Sequence, residues 1–340
     1  MVGSADVDGT GVDDTTVDVD STGGSPPPQA AIATRPGPST ATTQIRSEIP
    51  RRERVAELAL PNVDPRIGMR GARVPSSPME TGSQRTGDHR PQRHLHLSNA
   101  FNVRDLGGYP VAAGGTTRWR CMYRADGLHR LDRTDVDELG GETWATIVDL
   151  RTRGEVDNWG AAPHEALGAR WLHRPLIPSL WSEESLVPGH DPVAYLVERY
   201  HEMLDHGAGV FAEVVELLAE GDHAPLVFHC SAGKDRTGVT AALLLGLAGV
   251  DHDTIAADYH LTAAAMDEIA AWFRRAHPDS TDTMARQDHT FMAAPIEAME
   301  VFLTELDAEH GSIEGYFSSI GVDGDAVEAY RAVVTQPAPG

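Results

Sequence analysis

Lysine is almost missing from this chain. Of 28 basic side chains in 340 residues one is lysine, Lys234, and the rest are arginine. Cysteine is nearly as scarce, with only Cys121 and Cys230. Two cysteines cannot staple a disulfide scaffold, and they fit a reducing compartment. A regulatory Cys121–Cys230 bridge stays open, because the sequence gives no distance between them. Long apolar runs are absent too. The longest, Gly238 to Val250, is too short to span a bilayer and suits a buried helix. The first residues show no basic segment ahead of an apolar one, so no signal peptide is recognisable and a cytoplasmic location is expected. Positive charge as a whole is in deficit, with 28 basic against 51 acidic residues. Residues 94–340 hold 17 of the former and 39 of the latter, a surface that would repel nucleic acid and anionic lipid. No repeats appear.

What is present divides at about residue 92. Residues 1–25 are mostly Asp, Gly, Thr, Ser and Val, and 26–93 add Pro, Arg and more Ser and Thr. Such a composition cannot bury enough apolar area to offset the entropy of ordering. Residues 1–92 are therefore read as a disordered tail with one short helical candidate at Arg51–Leu60, or as an extension from a misassigned start, with Met69 or Met79 as the alternative. His89, His94 and His96 cluster near the domain entry, but a metal site needs more convergent donors, so no metal is expected. The patterned residues are 93–336. Hydrophobic residues make up 41% of the chain, enough for one sizeable core.

Among them a single stretch is dense in chemistry, His229-Cys-Ser-Ala-Gly-Lys-Asp-Arg-Thr-Gly238. The apolar run Ala224–Phe228 precedes it and a small-residue helical run, Val239–Ala248, follows. Strand, tight loop and helix in that order gather loop N–H groups and a helix N-terminus around one point, a site for a phosphate dianion. Cys230 would be the nucleophile. A free thiol is only about 3% ionised at pH 7, and lowering its pKa to about 5 takes roughly 5 kcal/mol of anion stabilisation. The helix end, the loop N–H groups of Ser231, Ala232 and Gly233, and Arg236 can supply it together. Arg236 presents a planar fork for two phosphate oxygens. Gly233 and Gly238 permit close backbone approach. Thr237 could give its hydroxyl to the departing sulfur, and His229 would orient the loop. Lys234 could hold the same phosphate or a second anionic group. The nucleotide-loop pattern G-x-x-x-x-G-K-[ST] is absent, since Asp235 follows Lys234.

The loop resembles that of the atypical bacterial tyrosine phosphatases, whose version reads HCxAGKDRTG, within the cysteine-dependent phosphatases. Asn102–Tyr109, Val148–Arg151, Asp258–Thr262 and Gly311–Tyr316 match the same family, over roughly 94–335. The resemblance implies an α/β fold with a central, mostly parallel sheet flanked by helices. It implies phosphomonoester hydrolysis through a cysteinyl-phosphate, with no cofactor. It also implies Asp235 as general acid, with Arg104 and Asp105 bracing the loop, since no Trp-Pro-Asp segment exists. Asp149, at the end of the strand Ala145–Asp149, is a second candidate acid or a structural partner of Arg151; Glu183 and Glu184 are others. Some relatives act on phosphoserine, phosphothreonine and phosphoinositides, and some are exported without a signal peptide. A protein tyrosine phosphatase, of tyrosine or of dual specificity, is therefore expected. A phosphoinositide phosphatase with Lys234 as specificity residue, a non-catalytic phosphate-binding module and a sulfur transferase are the alternatives.

Local patterning predicts strands over Thr116–Tyr123 and Arg170–Leu176, and a helix after Asp132. Helices are also predicted over Pro192–Leu204, Gly209–Leu218, Asp251–Met266, Asp267–Ala276, Pro295–Glu309, Ser312–Ile320 and Asp325–Val334. Residues 177–191, rich in Pro, Ser, Trp and Glu, are expected as a loop over the site.

Overall fold

Leu226–His229 lies at the middle of the principal sheet, and everything that matters chemically hangs from its carboxyl end. The computed structural model describes residues 92–139, 144–181, 191–276 and 293–338. The expected tail up to residue 91, the helix at Arg51–Leu60, His89, Glu183, Glu184 and most of the 177–191 loop lie outside the described residues.

The strands are β1 (Arg104–Asp105), β2 (Thr116–Thr117), β3 (Met122–Ala125), β4 (Thr146–Asp149), β5 (Arg170–His173), β6 (Leu226–His229) and β7 (Thr335–Gln336). Sheet order is β1-β3-β6-β4-β5, with β3, β6, β4 and β5 parallel and β1 antiparallel at the edge. The short pair β2–β7 stands apart. Helices α1 (Arg133–Glu138), α2 (Arg153–Trp159) and α3 (His164–Leu167) come early. Then follow α4 (Pro192–Ala219), α5 (Asp235–Leu247), α6 (His252–His260), α7 (Ala263–Ala276), α8 (Ile296–His310), α9 (Ile313–Ser319) and α10 (Gly324–Val334). Among the described residues no helix is long and apolar enough to cross a membrane.

The central strands obey the two-residue period. Met122, Val148, Leu226 and Phe228 face the larger core with α4, α5, α8 and α10. Tyr123, Ala125, Ile147 and Val227 face a smaller one with Val103, Leu128, Trp144 and Ala169. Both faces are covered, as parallel sheets require. The α/β architecture is the expected one.

Several local expectations are corrected. The Thr116–Tyr123 segment is not one strand. Arg120 takes a positive φ of 57°, so β2 and β3 separate into different sheets. Arg170–Leu176 stops being strand at His173. The two helices predicted around Gly207 and Gly209 are one continuous α4, capped by Asp191 with Pro192 following. Gly207 is there for packing: a Cβ would stand 2.5 Å from Leu176 and 2.8 Å from Phe211. Conversely, the run Asp251–Met266 breaks at Leu261–Thr262 into α6 and α7. The capped helix after Asp132 forms as read, with a reciprocal Asp132–Asp135 capping box. A Cys121–Cys230 bridge is excluded. The Cys121 carbonyl pairs with the N–H of Leu226, four residues before Cys230 on a parallel strand. The Cα atoms of the two cysteines are therefore more than about 13 Å apart along the sheet, far beyond disulfide reach. Burial pushes the Cys121 thiol up to about 11, which leaves it inert.

Candidate active site

β6 ends at His229, the chain turns through Cys230–Lys234, and α5 begins at Asp235. No side chain caps that helix, whose N-cap position is Lys234. Its first N–H groups and the positive end of its dipole are thus left for an anion. Cys230 is 2% exposed and Arg236 8%. The loop closes this tightly because of Gly233, at φ 66°, where a Cβ would sit 2.7 Å from the carbonyl oxygen of Ala125. Gly238 admits the Tyr259 ring to within 2.9 Å of where its Cβ would be.

Arg236 is held from α2. Its Nη1 donates to Glu155 Oε2 at 2.6 Å and its Nη2 to Oε1 at 3.0 Å, a bidentate pair with both partners buried. Glu155 also accepts from the hydroxyl of Ser231 in the loop. Its Oε2 accepts from the N–H and hydroxyl of Thr152, the reciprocal cap that starts α2. Burial opposes ionisation of Glu155, but the Arg236 fork and the Ser231 and Thr152 donors outweigh it and hold its pKa at about 2. Burial would also weaken Arg236 as a base; Cys230 and Glu155 reverse that and raise it.

The back of the loop is braced by a buried polar cluster. The Gly233 carbonyl accepts from Arg124 Nη2 at 2.8 Å and from Asn102 Nδ2 at 3.1 Å. Asn102 also donates to the Ala232 carbonyl at 3.2 Å. Asp258 binds Arg104 Nε at 3.0 Å and Arg124 Nη1 at 2.6 Å, and takes the Tyr109 hydroxyl at 2.8 Å. Arg104 in turn donates to the side-chain oxygen of Asn102 and to the Thr262 hydroxyl. Arg104 thus lies behind the loop and steadies it through Asn102 and Asp258. Asp105 has another place: its carboxylate accepts from the N–H groups of Gly107 and Arg120, both at 2.7 Å, and fixes that turn.

Asp149 is fully buried and engaged by Arg151, Nε to Oδ1 at 2.9 Å and Nη2 to Oδ2 at 2.6 Å. Burial alone would raise its pKa; His229 and Arg151 overcome that and lower it. His229 is also fully buried. Its Nδ1 faces the Cys230 carbonyl at 3.2 Å, and a carbonyl only accepts, so Nδ1 carries the proton. Its Nε2 stands 3.5 Å from Asp149 Oδ2. Burial dominates and depresses its pKa despite that carboxylate. His129 accepts from Arg151 at 3.0 Å and stacks on Trp159; burial, then Arg151 and Arg130, bring it down to about 3.

Asp235 stands in the first turn of α5 with its side chain 22% exposed. The Tyr200 hydroxyl donates to its Oδ1 at 2.8 Å. The Lys234 ammonium is buried, donates to the Ala293 carbonyl at 2.8 Å and lies 3.5 Å from Asp235 Oδ1. Thr237 is fully buried, its hydroxyl 3.5 Å from the Ala125 carbonyl. Among the described residues no three metal-ligating side chains converge.

The structure therefore gathers His229 to Gly238 into one strand end, loop and helix start, with Arg104 one layer behind and Asp149 beside His229 beneath. Glu155, Asn102, Arg124, Asp258, Tyr200 and Tyr259 were not singled out as site residues by the sequence. Two kinds of signal were there: Thr152-x-x-Glu155 reads as a capping box, and Asn102 and Asp258 open two of the matching stretches.

Comparison with known proteins bears on the family of the chain. Residues 95–336 match the model of a family described as the tyrosine phosphatase family. A protein of Cupriavidus necator, named provisionally as a tyrosine-protein phosphatase, is 32% identical over 195 residues, covering 55% of this chain and 67% of its own. The triple specificity protein phosphatase PtpB of Mycobacterium tuberculosis is 26% identical over 275 residues, 70% of this chain and 98% of its own. A tyrosine-protein phosphatase of Nostoc commune is 31% identical over 155 residues, 42% of this chain and 49% of its own.

Proposed function

The chain belongs to the tyrosine phosphatase family, a family of phosphoric monoester hydrolases, and on that premise we propose how its residues carry the reaction. Cys230 attacks the phosphorus of a phosphotyrosyl side chain in line. The sulfur–phosphorus bond forms as the ester oxygen–phosphorus bond breaks, and Asp235 gives its proton to the leaving phenolate. A water then attacks the cysteinyl-phosphate, its proton passes to Asp235, and the Cys230 thiolate departs with inorganic phosphate released. Arg236 and the N–H groups of 231–236 hold the equatorial oxygens, where charge builds in the transition state.

One observation carries this reading: the bidentate Glu155–Arg236 pair aims a fixed guanidinium beside a buried Cys230 at an uncapped helix N-terminus. A passive phosphate-binding module needs no acid at the rim, whereas Asp235 stands there partly exposed. We assign the catalytic unit to residues 93–336. Dual specificity is a natural extension, and PtpB, similar along nearly its whole length, is named for three specificities. The Lys234 ammonium lends less to a lipid-phosphatase reading than the sequence suggested. It is turned to the Ala293 carbonyl and the carboxylate of Asp235.

The test is phosphate release from a phosphotyrosyl peptide, a phosphoseryl peptide and a soluble phosphoinositide, with chelator throughout. Wild type should release phosphate fastest from phosphotyrosine. Cys230→Ser should abolish release and Asp235→Asn should lower it by about 10²-fold or more. Turnover of the phosphoinositide alone would replace the reading with a lipid phosphatase. Undiminished release by Cys230→Ser would overturn the mechanism.

A further inference from the structure

Two phenols are buried behind the acid where two phenylalanines would pack as well. Tyr200, from the middle of α4, and Tyr259, from α6, are 0% and 1% exposed. Their hydroxyls meet at 2.6 Å and their rings cross edge to face at 6.2 Å. Tyr200 leans on Phe302 in the same way, and the Tyr259 ring lies against Gly238 of α5. The Tyr259 ring is thus fixed by packing against the helix that carries Asp235, and the Tyr200 ring is fixed between Tyr259 and Phe302. Burying a hydroxyl is costly unless it is hydrogen-bonded, so these two need a purpose that phenylalanine would not serve.

The direction of the chain follows from proton count. A carboxylate only accepts, so the single proton of Tyr200 goes to Asp235 Oδ1, 2.8 Å away. Tyr259 must then donate to Tyr200. Burial first, and Asp235 next, push Tyr200 well above the usual phenol range, and Tyr259 is raised for the same reasons, so both stay donors at any working pH. The other charge at that carboxylate is the Lys234 ammonium, 3.5 Å away and also at Oδ1, with Arg236 of the same helix at electrostatic range. Among the described residues Oδ2 accepts no hydrogen bond, and the side chain is partly exposed.

We propose that Tyr200 and Tyr259 are positioning residues for proton transfer: the relay Tyr259 to Tyr200 to Asp235 pins Oδ1 as an acceptor and confines the transferable proton to Oδ2, on the substrate side. The inference rests on Asp235 being the acid, and its test separates the two.

The test is kcat/KM of the full chain on aryl phosphates with leaving phenols of increasing basicity, for wild type, Tyr200→Phe, Tyr259→Phe, Asp235→Asn and the Tyr200→Phe/Asp235→Asn double variant. Tyr200→Phe should lose about tenfold on phenyl phosphate and under about twofold on 2,4-dinitrophenyl phosphate, where no acid is needed. Tyr259→Phe, one bond further out, should show the same slope with a smaller loss, and it carries the test if Tyr200→Phe does not fold. Vanadate affinity should be unchanged in both, and the double variant should match Asp235→Asn alone. Equal loss on every leaving group, or additive loss in the double variant, would overturn the relay while Asp235→Asn still showed the steep dependence. A flat dependence in Asp235→Asn would overturn the acid assignment and the relay with it.

Discussion

Glu155 joins three functions with two oxygens. It starts α2 through Thr152, ties down the loop through Ser231 and sets the plane of Arg236. Glu155→Gln keeps the size but turns an amide N–H₂ toward donors and leaves Arg236 buried without its countercharge. We expect kcat/KM on a phosphotyrosyl peptide to fall about 10²-fold and stability to fall by about 3 kcal/mol. Vanadate should bind at least about tenfold more weakly, because the fork no longer lies in the right plane. Steady-state kinetics and urea unfolding check both effects, and unaltered vanadate binding would refute the positioning role. The sequence announced half of this. Thr152-x-x-Glu155 is visible as a local cap, but Arg236 lies 81 positions later, and nothing local says that the two meet. By contrast Cys230, Asp235 and Arg236 were legible because one loop contains them all.

At the scale of elements, the loop stays in place because Arg124 of β3 and Asn102, just ahead of β1, hold its Gly233 carbonyl, and Asp258 of α6 holds Arg124. Asp258 is the hinge of that arrangement, accepting from Arg104 and Arg124 on two neighbouring strands. Burial disfavours its charge, yet the two guanidiniums win and depress its pKa. Burial conversely lowers Arg124 to about 10. Asp258→Asn would leave two buried guanidiniums with their shared countercharge removed. A loss of about 3–5 kcal/mol in urea unfolding is expected, with residual activity falling as the loop loosens. Stability within about 0.5 kcal/mol of wild type would show that Arg104 and Arg124 find other partners. Element boundaries were the least legible feature of the sequence. Gly207 reads as a break, yet it serves close packing inside α4. Leu261–Thr262 reads as helix, yet the chain turns there so that the Thr262 hydroxyl can reach Arg104 and Asn102. In both places tertiary contact overrides local propensity.

Across the whole molecule the buried carboxylates and histidines act in one direction on stability. Glu155, Asp149 and Asp258 have depressed pKa values, so their contribution is complete above the usual carboxylate range and is lost progressively below it, as pH falls toward and through the folded values. His129 and His229 are buried neutral, with values below the 6.5 of a free imidazole. The unfolded chain therefore takes up more protons below that pH, and their effect has the same sign. The urea midpoint should hold steady at neutral pH, begin to fall below about pH 6.5 and drop steeply below about pH 4.5. A midpoint flat down to pH 4 would contradict the buried neutral histidines.

The limits proposed for the catalytic unit rest on contacts made at both ends of the folded segment. At one end the Leu95 N–H pairs with the Val103 carbonyl. Arg93 donates to the Asp105 carbonyl at 2.8 Å and lies 3.8 Å over the Tyr109 ring. At the other end β7 closes on β2, and Arg118 grips the carbonyls of Val333 and Thr335 at 2.5 and 2.8 Å. Both ends thus converge on the segment 103–118 that leads into β3. We expect a chain starting at residue 92 to keep kcat/KM within about twofold and its unfolding midpoint unchanged. A chain starting at residue 100 loses the Arg93 and Leu95 contacts, and one ending at Val334 loses β7. Each should unfold at lower urea, by about 1–3 kcal/mol. Activity lost on removal of residues 1–91 alone would place some of the working site in that segment and redraw the catalytic unit.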